Sequence, residues 1–108
     1  MSEPTPDPQR PTAVERQQAL KRLEEHHDFP CVYMFKVIGY NSGELAQEVR
    51  RAAETVLGPI MGKNEIRSRP SSGDKYLAVT IETKVESSAQ VLDVYDALKA
   101  LEGLIALV

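Results

Sequence analysis

The spacing of apolar residues after Phe29 predicts an alternation of strands and helices. Residues 31–40 form an apolar run of strand length, and residues 75–85 alternate apolar and polar side chains with the period of a strand. Residues 41–58 and 87–101 instead repeat apolar residues at helical spacing, which indicates two amphipathic helices. Two weaker strands complete the series, over residues 63–69 and 104–108.

This order predicts an α+β fold of the ferredoxin-like class, a two-layer sandwich in which the chain runs βαββαβ. Both helices should cover one face of a four-stranded, antiparallel-type sheet. Because βαβ crossovers are right-handed, the first and third strands should lie in the centre, which gives the sheet order 4-1-3-2.

Residues 1–28 precede this domain and have a different character. Four prolines among the polar residues 2–11 predict a disordered tail. A capping box formed by Thr12 and Glu15 then predicts a helix from Ala13 to about His26. Its apolar content is thin, so this helix is either solvated or weakly docked. We divide the chain into a tail and N-terminal helix, residues 1–28, and a ferredoxin-like domain, residues 29–108.

The alternation within the central strands assigns side chains to two faces of the sheet. Tyr33, Phe35 and Val37 should face the helices, together with the odd-numbered residues of the third strand. The opposite face, which we call the open face, should carry six apolar or aromatic side chains: Met34, Ile38, Tyr76, Ala78, Ile105 and Leu107.

Composition narrows the class of function mainly by exclusion. The net charge is −3, and residues 29–108 hold ten acidic and nine basic residues, so the domain lacks the basic excess typical of non-specific nucleic-acid binding. The single cysteine, Cys31, excludes an intrachain disulfide. Neither a signal peptide nor an apolar stretch of membrane length is present, so we expect a cytoplasmic protein. No cofactor is expected.

Two stretches resemble the YbeD-like family of small bacterial proteins of unknown function. Residues 29–39, in which Phe-Pro leads to Phe-Lys-Val-Ile-Gly, are similar to the opening motif of that family. Residues 70–76 are similar to its Pro-Ser-Ser turn leading to Gly and Tyr, although Phe35 stands where the family commonly has tyrosine. The resemblance implies a ferredoxin-like fold similar to regulatory ACT domains, and it implies no established enzyme activity.

The segment between the first strand and the first helix is one candidate site. Gly39, Asn41, Ser42 and Gly43 precede a helix N-terminus, with Asn41 as the predicted N-cap and Glu44 at capping-box spacing. Unpaired N–H groups and the partial positive charge there suit a small anionic metabolite, as the ACT-like resemblance also implies. The simpler interpretation is that the glycines permit a tight turn and Asn41 only caps.

The open face and the adjoining edge strand form the second candidate site. Contiguous apolar patches usually mark interfaces, so we expect cover by a second copy, by a partner protein or by the N-terminal helix. The two arginines of the edge strand share one face and suit an acidic partner or a phosphate. The alternatives are that water covers part of the open face, and that the charged edge strand only deters pairing with other strands. The predicted partner-binding residues are Met34, Ile38, Arg67, Arg69, Tyr76 and Ile105.

Other classes of function have less support in the sequence. RNA-recognition modules share this fold and display aromatic residues on the open face, but only Tyr76 meets that pattern. An RNA-binding module that uses this face and the basic edge strand is the alternative function. The run His26-His27-Asp28 and the lone Cys31 lack the spacing of metal ligands or of an activated nucleophile. We therefore expect a small non-enzymatic regulatory or adaptor domain, with no catalytic and no metal-binding residues.

Overall fold

The structure, a computed structural model, describes residues 12–60, 62 and 65–108, and within them it has the predicted order of helices and strands. The ferredoxin-like fold with an additional N-terminal helix is confirmed. The predicted tail over residues 2–11 and the first two residues of the predicted second strand lie outside the described residues. The elements are α1 (Ala13–His26), β1 (Cys31–Tyr40), α2 (Leu45–Leu57), β2 (Ile66–Pro70), β3 (Tyr76–Val85), α3 (Ser88–Lys99) and β4 (Leu104–Leu107).

The four strands form one sheet in the order β2-β3-β1-β4, and each neighbouring pair is antiparallel. β1 and β3 pair along their whole length, from Cys31 opposite Val85 to Tyr40 opposite Tyr76. The two strands richest in apolar residues therefore occupy the centre, as right-handed crossovers require. The predicted strand order is confirmed.

One face of the sheet is buried under α2 and α3. Phe35, Val37, Val79 and Ile81 are fully buried, because odd-numbered residues of the central strands all point to this side. The helices meet these side chains with residues three or four positions apart, the spacing of a single helical face. They are Leu45, Val49 and Ala53 from α2 and Val91, Val94 and Leu98 from α3.

α1 lies in the helical layer beside α3, so the N-terminal helix does not cover the open face. Its docking is mostly polar. Arg16 Nη2 lies 2.8 Å from Asp93 Oδ1, and Arg16 Nη1 lies 3.5 Å from Asp96 Oδ2. Ser88 Oγ donates a hydrogen bond of 2.8 Å to Glu24 Oε1. α1 has no fully buried residue, and the partly buried Leu23 is its apolar contact with the core, so polar contacts supply most of its docking.

α2 begins later than the sequence pattern predicts. Its N-cap is Glu44, and the predicted cap Asn41 is engaged elsewhere. Asn41 Nδ2 donates to the carbonyl of Asp74 at 3.1 Å, and the Asn41 N–H donates to the carbonyl of Lys75 at 3.0 Å. Asn41 therefore ties the β1–α2 loop to the β2–β3 hairpin. The predicted capping box is wrong because these tertiary bonds replace the local one.

β4 contains a bulge that corrects the predicted position of Leu107. Val37 pairs with Leu107, but Gly39, two residues on, pairs with Leu104, so the register shifts by one residue. Directly opposed residues of antiparallel strands share a face, so Leu107 lies on the helix-covered side with Val37. Ile105 is the additional residue of the bulge and is 47% exposed.

Candidate functional site

The open face lies opposite α2 and α3 and leaves apolar side chains at the surface. Met34 is 51% exposed and Tyr40 is 53% exposed, although both belong to the central strand β1. Ile38 and Tyr76 are half-buried on the same face. Ile105 is exposed at the bulge of the neighbouring strand. The structure thus brings Met34, Ile38 and Tyr76 to one side of the molecule, with Ile105 exposed at the bulge of β4.

Every charged residue of the four strands occupies an open-face position. Four are basic and one is acidic, so the strand residues contribute a formal charge of +3 to this face, on a chain whose net charge is −3. The face and the whole molecule therefore differ in the sign of their charge, which favours acidic ligands at this face. The residues are Lys36, Arg67, Arg69, Glu82 and Lys84.

The basic residues border a groove of about 400 Å³ in the middle of the open face. The sheet register explains it. Thr80 lies between Arg67 and Lys36 in one row across the sheet, and Ala78 lies beside Arg69 in the next row. Short side chains on β3 between long side chains on β2 and β1 leave a depression. The groove is lined by Lys36, Arg67, Ser68, Arg69, Ala78 and Thr80.

Two tyrosines form an aromatic pair at one end of the open face. The ring centroids of Tyr40 and Tyr76 are 5.8 Å apart, with the rings tilted by 41°. Lys75 Nζ lies 5.4 Å from the centroid of the Tyr76 ring, within cation–π range. Tyr40 was not among the predicted site residues. The period-2 alternation from Met34 and Ile38 was the signal that places it on this face.

Gly39, the first residue of the predicted ligand-binding loop, is required by packing. A Cβ added to Gly39 would lie 2.7 Å from Leu45 Cδ2 and 2.8 Å from the carbonyl oxygen of Gly103. Real Cβ contacts do not occur at such distances, and the backbone oxygen cannot move away as a flexible side chain can. The absence of a side chain at Gly39 therefore lets β1, α2 and the turn before β4 approach one another.

The rest of this loop is held by bonds within the protein. Ser42 Oγ accepts a hydrogen bond of 3.3 Å from the N–H of Glu44, and Asn41 is bonded to the hairpin as described above. Gly43 has φ of 89°, a left-handed conformation that favours glycine. The carboxylate of Glu44 at the N-cap would also meet an anionic ligand with like charge. The ligand site at Gly39, Asn41, Ser42 and Gly43 stays a prediction, and these contacts do not favour it.

Tyr95 of α3 has a displaced pKa for a structural reason. Burial raises its pKa well above the usual range, and a hydrogen bond between the Tyr95 and Tyr33 hydroxyls, 3.3 Å apart, raises it further. The Tyr95 ring packs edge-on against Phe35, with centroids 5.3 Å apart. Tyr95 is therefore a neutral member of the core, and its shift does not point to proton transfer.

The other side chains that could bind a metal or react do not lie together. His27 packs edge-on against Tyr33, with centroids 5.1 Å apart, and Cys31 is a half-buried free thiol. Over residues 12–60, 62 and 65–108, no group of three or more His, Cys, Asp or Glu side chains could hold a metal ion. The same residues include no helix that is long and apolar enough to cross a membrane.

Sequence comparison assigns the chain to a family. A family model described as "Protein of unknown function (DUF493)" matches residues 24–107. The chain belongs to the DUF493 family. A UPF0250 protein of Shewanella sediminis is 35% identical over 82 residues, which cover 76% of this chain and 90% of that protein. A UPF0250 protein of Neisseria gonorrhoeae is 36% identical over 77 residues, covering 69% and 81% respectively. These matches confirm the resemblance to the YbeD-like family.

A solved structure has a fold similar to that of this chain. The solution structure of protein HP0495 from H. pylori superposes with a TM-score of 0.62 and covers 100% of this chain and 98% of its own. The sequences are 13% identical, so the similarity concerns the fold alone. Neither the family description nor the names of the relatives state an enzymatic activity. The geometry of the open face is therefore what indicates a function.

Proposed function

We propose that this DUF493 domain is a non-enzymatic adaptor that binds an acidic partner protein through its open sheet face. The observation that carries the proposal is the composition of that face, which combines exposed apolar side chains with all the charged residues of the strands. Contiguous apolar surface favours association, and a charge of one sign selects the partner. Met34 and Ile38 would supply apolar contact, and Lys36 and Arg69 would face carboxylates of the partner.

Two features argue that the occupant is a different protein rather than a second copy. A symmetric dimer through this face would bring together two surfaces to each of which the strand residues contribute a formal charge of +3, and like charges opposed in an interface cost several kcal/mol. The N-terminal helix, the other occupant considered, lies in the opposite layer. Size-exclusion chromatography with light scattering should therefore give a monomer, and a dimer that Met34→Glu dissociates would contradict the proposal.

The partner proposal is tested by quantitative affinity purification with matched variants. Extract from the source cell is passed over the full-length chain, the open-face variant Met34→Glu/Arg69→Glu, and the control Gln47→Glu/Lys99→Glu, whose changes lie on α2 and α3. We expect an acidic protein that binds the wild type and the control, is lost with the open-face variant, and elutes as salt is raised. Identical protein sets for all three baits would contradict the proposal.

RNA binding is the second candidate, and the Tyr40–Tyr76 pair is the observation that favours it. Aromatic rings on the central strands of a ferredoxin-like sheet are the surface on which RNA-recognition modules stack bases. This alternative predicts salt-sensitive binding of single-stranded RNA that Tyr40→Ala and Tyr76→Ala weaken, each stacked base contributing about 1–3 kcal/mol. A flat fluorescence titration at low salt would exclude it.

A further inference from the structure

We infer that the groove between Lys36, Arg67 and Arg69 binds the phosphoryl group of a small phosphate monoester that carries an aromatic ring, such as a mononucleotide. The inference goes beyond the adaptor role, because it assigns a ligand of defined chemistry to one groove of the open face. It holds whether or not a partner protein binds. The groove is bordered by basic residues on two strands, with small residues between them.

The charge of the groove matches a dianion. Arg67 Nη1 lies 3.7 Å from Glu82 Oε1, and this partly exposed pair neutralises one of the three positive charges. Among the residues that the structure describes, Lys36 and Arg69 form no ion pair or side-chain hydrogen bond. Two positive charges remain, and a phosphate monoester carries roughly −1.5 to −2 near pH 7. A single carboxylate would leave one of these positive charges without a counterpart.

Protection of the sheet edge does not explain the position of Lys36. Basic residues on an edge strand deter unwanted strand pairing, which accounts for Arg67 and Arg69 on β2. It does not account for Lys36, which lies on the central strand β1 between the apolar open-face residues Met34 and Ile38. A lysine there faces the same groove as the two arginines, so the three residues share a location that edge protection does not require.

The groups present suit a phosphoryl ligand. A guanidinium fork binds two phosphate oxygens at once, and an ammonium adds a point charge. Neighbouring strands lie about 4.8 Å apart, so the Cα atoms of Arg67 and Lys36 stand about 10 Å apart on either side of Thr80. A phosphoryl group between the Thr80 and Ala78 rows would lie within reach of Lys36 and Arg69, and the Thr80 hydroxyl is an additional donor.

The size of the groove and its neighbours indicate the rest of the ligand. A volume of about 400 Å³ exceeds what a phosphoryl group fills and lies within the range of about 300–1,000 Å³ of small-molecule sites. The Tyr40–Tyr76 pair lies two residues along the strands from Ala78, which is about 7 Å. Thr80 is four residues from Tyr76, about 14 Å, so it is a ligand with its phosphoryl group at the Ala78 end of the groove that can place an aromatic ring on the tyrosines.

The test is an NMR titration of the ¹⁵N-labelled full-length chain at low salt. The probes are adenosine monophosphate, inorganic phosphate, adenosine, and sodium chloride at matched ionic strength. We expect saturable amide shifts from β2, from the centre of β3 and from Lys36 with adenosine monophosphate, weaker ones with inorganic phosphate, and no saturation with sodium chloride. Adenosine should shift only amides around Tyr40 and Tyr76.

Variants locate the phosphoryl contact. Lys36→Gln and Arg69→Gln should each weaken binding of adenosine monophosphate about tenfold, the usual loss when one hydrogen bond to a charged group is removed. Lys84→Gln is the matched control, since Lys84 lies on the same face but 3.7 Å from Glu86 and outside the groove. It should change affinity less than about twofold. Tyr40→Ala should weaken adenosine monophosphate while leaving inorganic phosphate unchanged. All four side chains are exposed, so unfolding temperatures should stay unchanged and verify the fold.

Several outcomes would overturn the inference. If sodium chloride produced the same amide shifts, or if Lys84→Gln lowered the affinity for adenosine monophosphate as much as Lys36→Gln does, binding would depend only on the overall charge of the face. Equal affinities for adenosine monophosphate and inorganic phosphate would show that an aromatic ring on the ligand adds nothing to binding. Binding of a phosphorylated peptide or single-stranded RNA about a hundredfold tighter than adenosine monophosphate would transfer the site to a macromolecule. Because no partner is present in the titration, its failure leaves the adaptor proposal standing, and the reverse also holds.

Discussion

The two faces of the sheet differ completely in environment, although their residues alternate along the same strands. On β1, Phe35 is fully buried, whereas its neighbour Met34 is half exposed. On β3, Ile81 is fully buried, whereas Glu82 next to it takes part in a surface ion pair. The covered face is closed by two helices, and the open face holds all the strand charges. Stability should therefore depend on one face and association on the other.

The largest expected difference between the faces concerns consecutive residues of β1. Phe35→Ala removes a buried ring that contacts Tyr33 and Tyr95, and it should lower the free energy of unfolding by about 3–5 kcal/mol. Met34→Ala should change it by less than about 1 kcal/mol, because that side chain is already half solvated. Urea unfolding followed by circular dichroism measures both. Equal losses would mean that the open face is also part of the core.

Enlarging a small residue on each face makes a second comparison. Gly39→Ala introduces a Cβ against Leu45 and the Gly103 carbonyl, and this overpacking should cost about 1–3 kcal/mol. Ala78→Val, on the adjacent strand but facing the open groove, should cost less than about 0.5 kcal/mol. Thermal unfolding distinguishes them. A Gly39→Ala variant of unchanged stability would contradict the packing role of this glycine.

The half-buried pair of Tyr33 and Tyr95 makes the covered face sensitive to alkaline pH. Because the pKa of Tyr95 is raised in the folded state, its stabilising effect is complete below about pH 10, the usual pKa in an unfolded chain. It is lost as pH rises further, because only the unfolded state then releases the proton. Tyr95→Phe removes the hydrogen bond to Tyr33 and should lower the free energy of unfolding by about 1 kcal/mol at neutral pH. The stability advantage of the wild type over this variant, measured from pH 8 to 11, should shrink above about pH 10, and a constant difference would exclude the effect.

The smallest expected effect concerns α1, which belongs to the helical layer but is attached by polar contacts. Arg16→Gln removes ion pairs to Asp93 and Asp96 that are partly exposed, so the loss should be about 0.2–1 kcal/mol and should diminish at high salt. Arg22→Gln, on the same helix without an ion pair to any described residue, is the control. Hydrogen exchange should show faster opening of α1 in Arg16→Gln alone. A salt-independent loss would point to apolar docking instead.

Most of the fold could be predicted because its signals are local. The period-2 pattern of β1 and β3 assigned Phe35 and Met34 to opposite faces, and the helical period identified the buried residues of α2 and α3. The cap of α3 is equally local, since Ser87 accepts a hydrogen bond from the N–H of Gln90 within the same turn. The open face could be predicted in outline. The period-2 alternation of β1 also places Tyr40 there, but only strand pairing brings its ring beside Tyr76.

The amino-acid sequence by itself determined the element order and the strand order. It also determined the separation of the helix-covered apolar face from the open face that carries the strand charges. Each of these follows from residues that are close along the chain, or from the few topologies that chirality allows. The tertiary structure alone decided where α1 docks, where α2 begins and which way Leu107 points. Arg16 and Asp93 are 77 residues apart, and Asn41 and Asp74 are 33 apart, so no local pattern records that they meet. The basic groove has the same origin, because strand pairing alone brings Lys36 of β1 into the groove lined by Arg67 and Arg69 of β2.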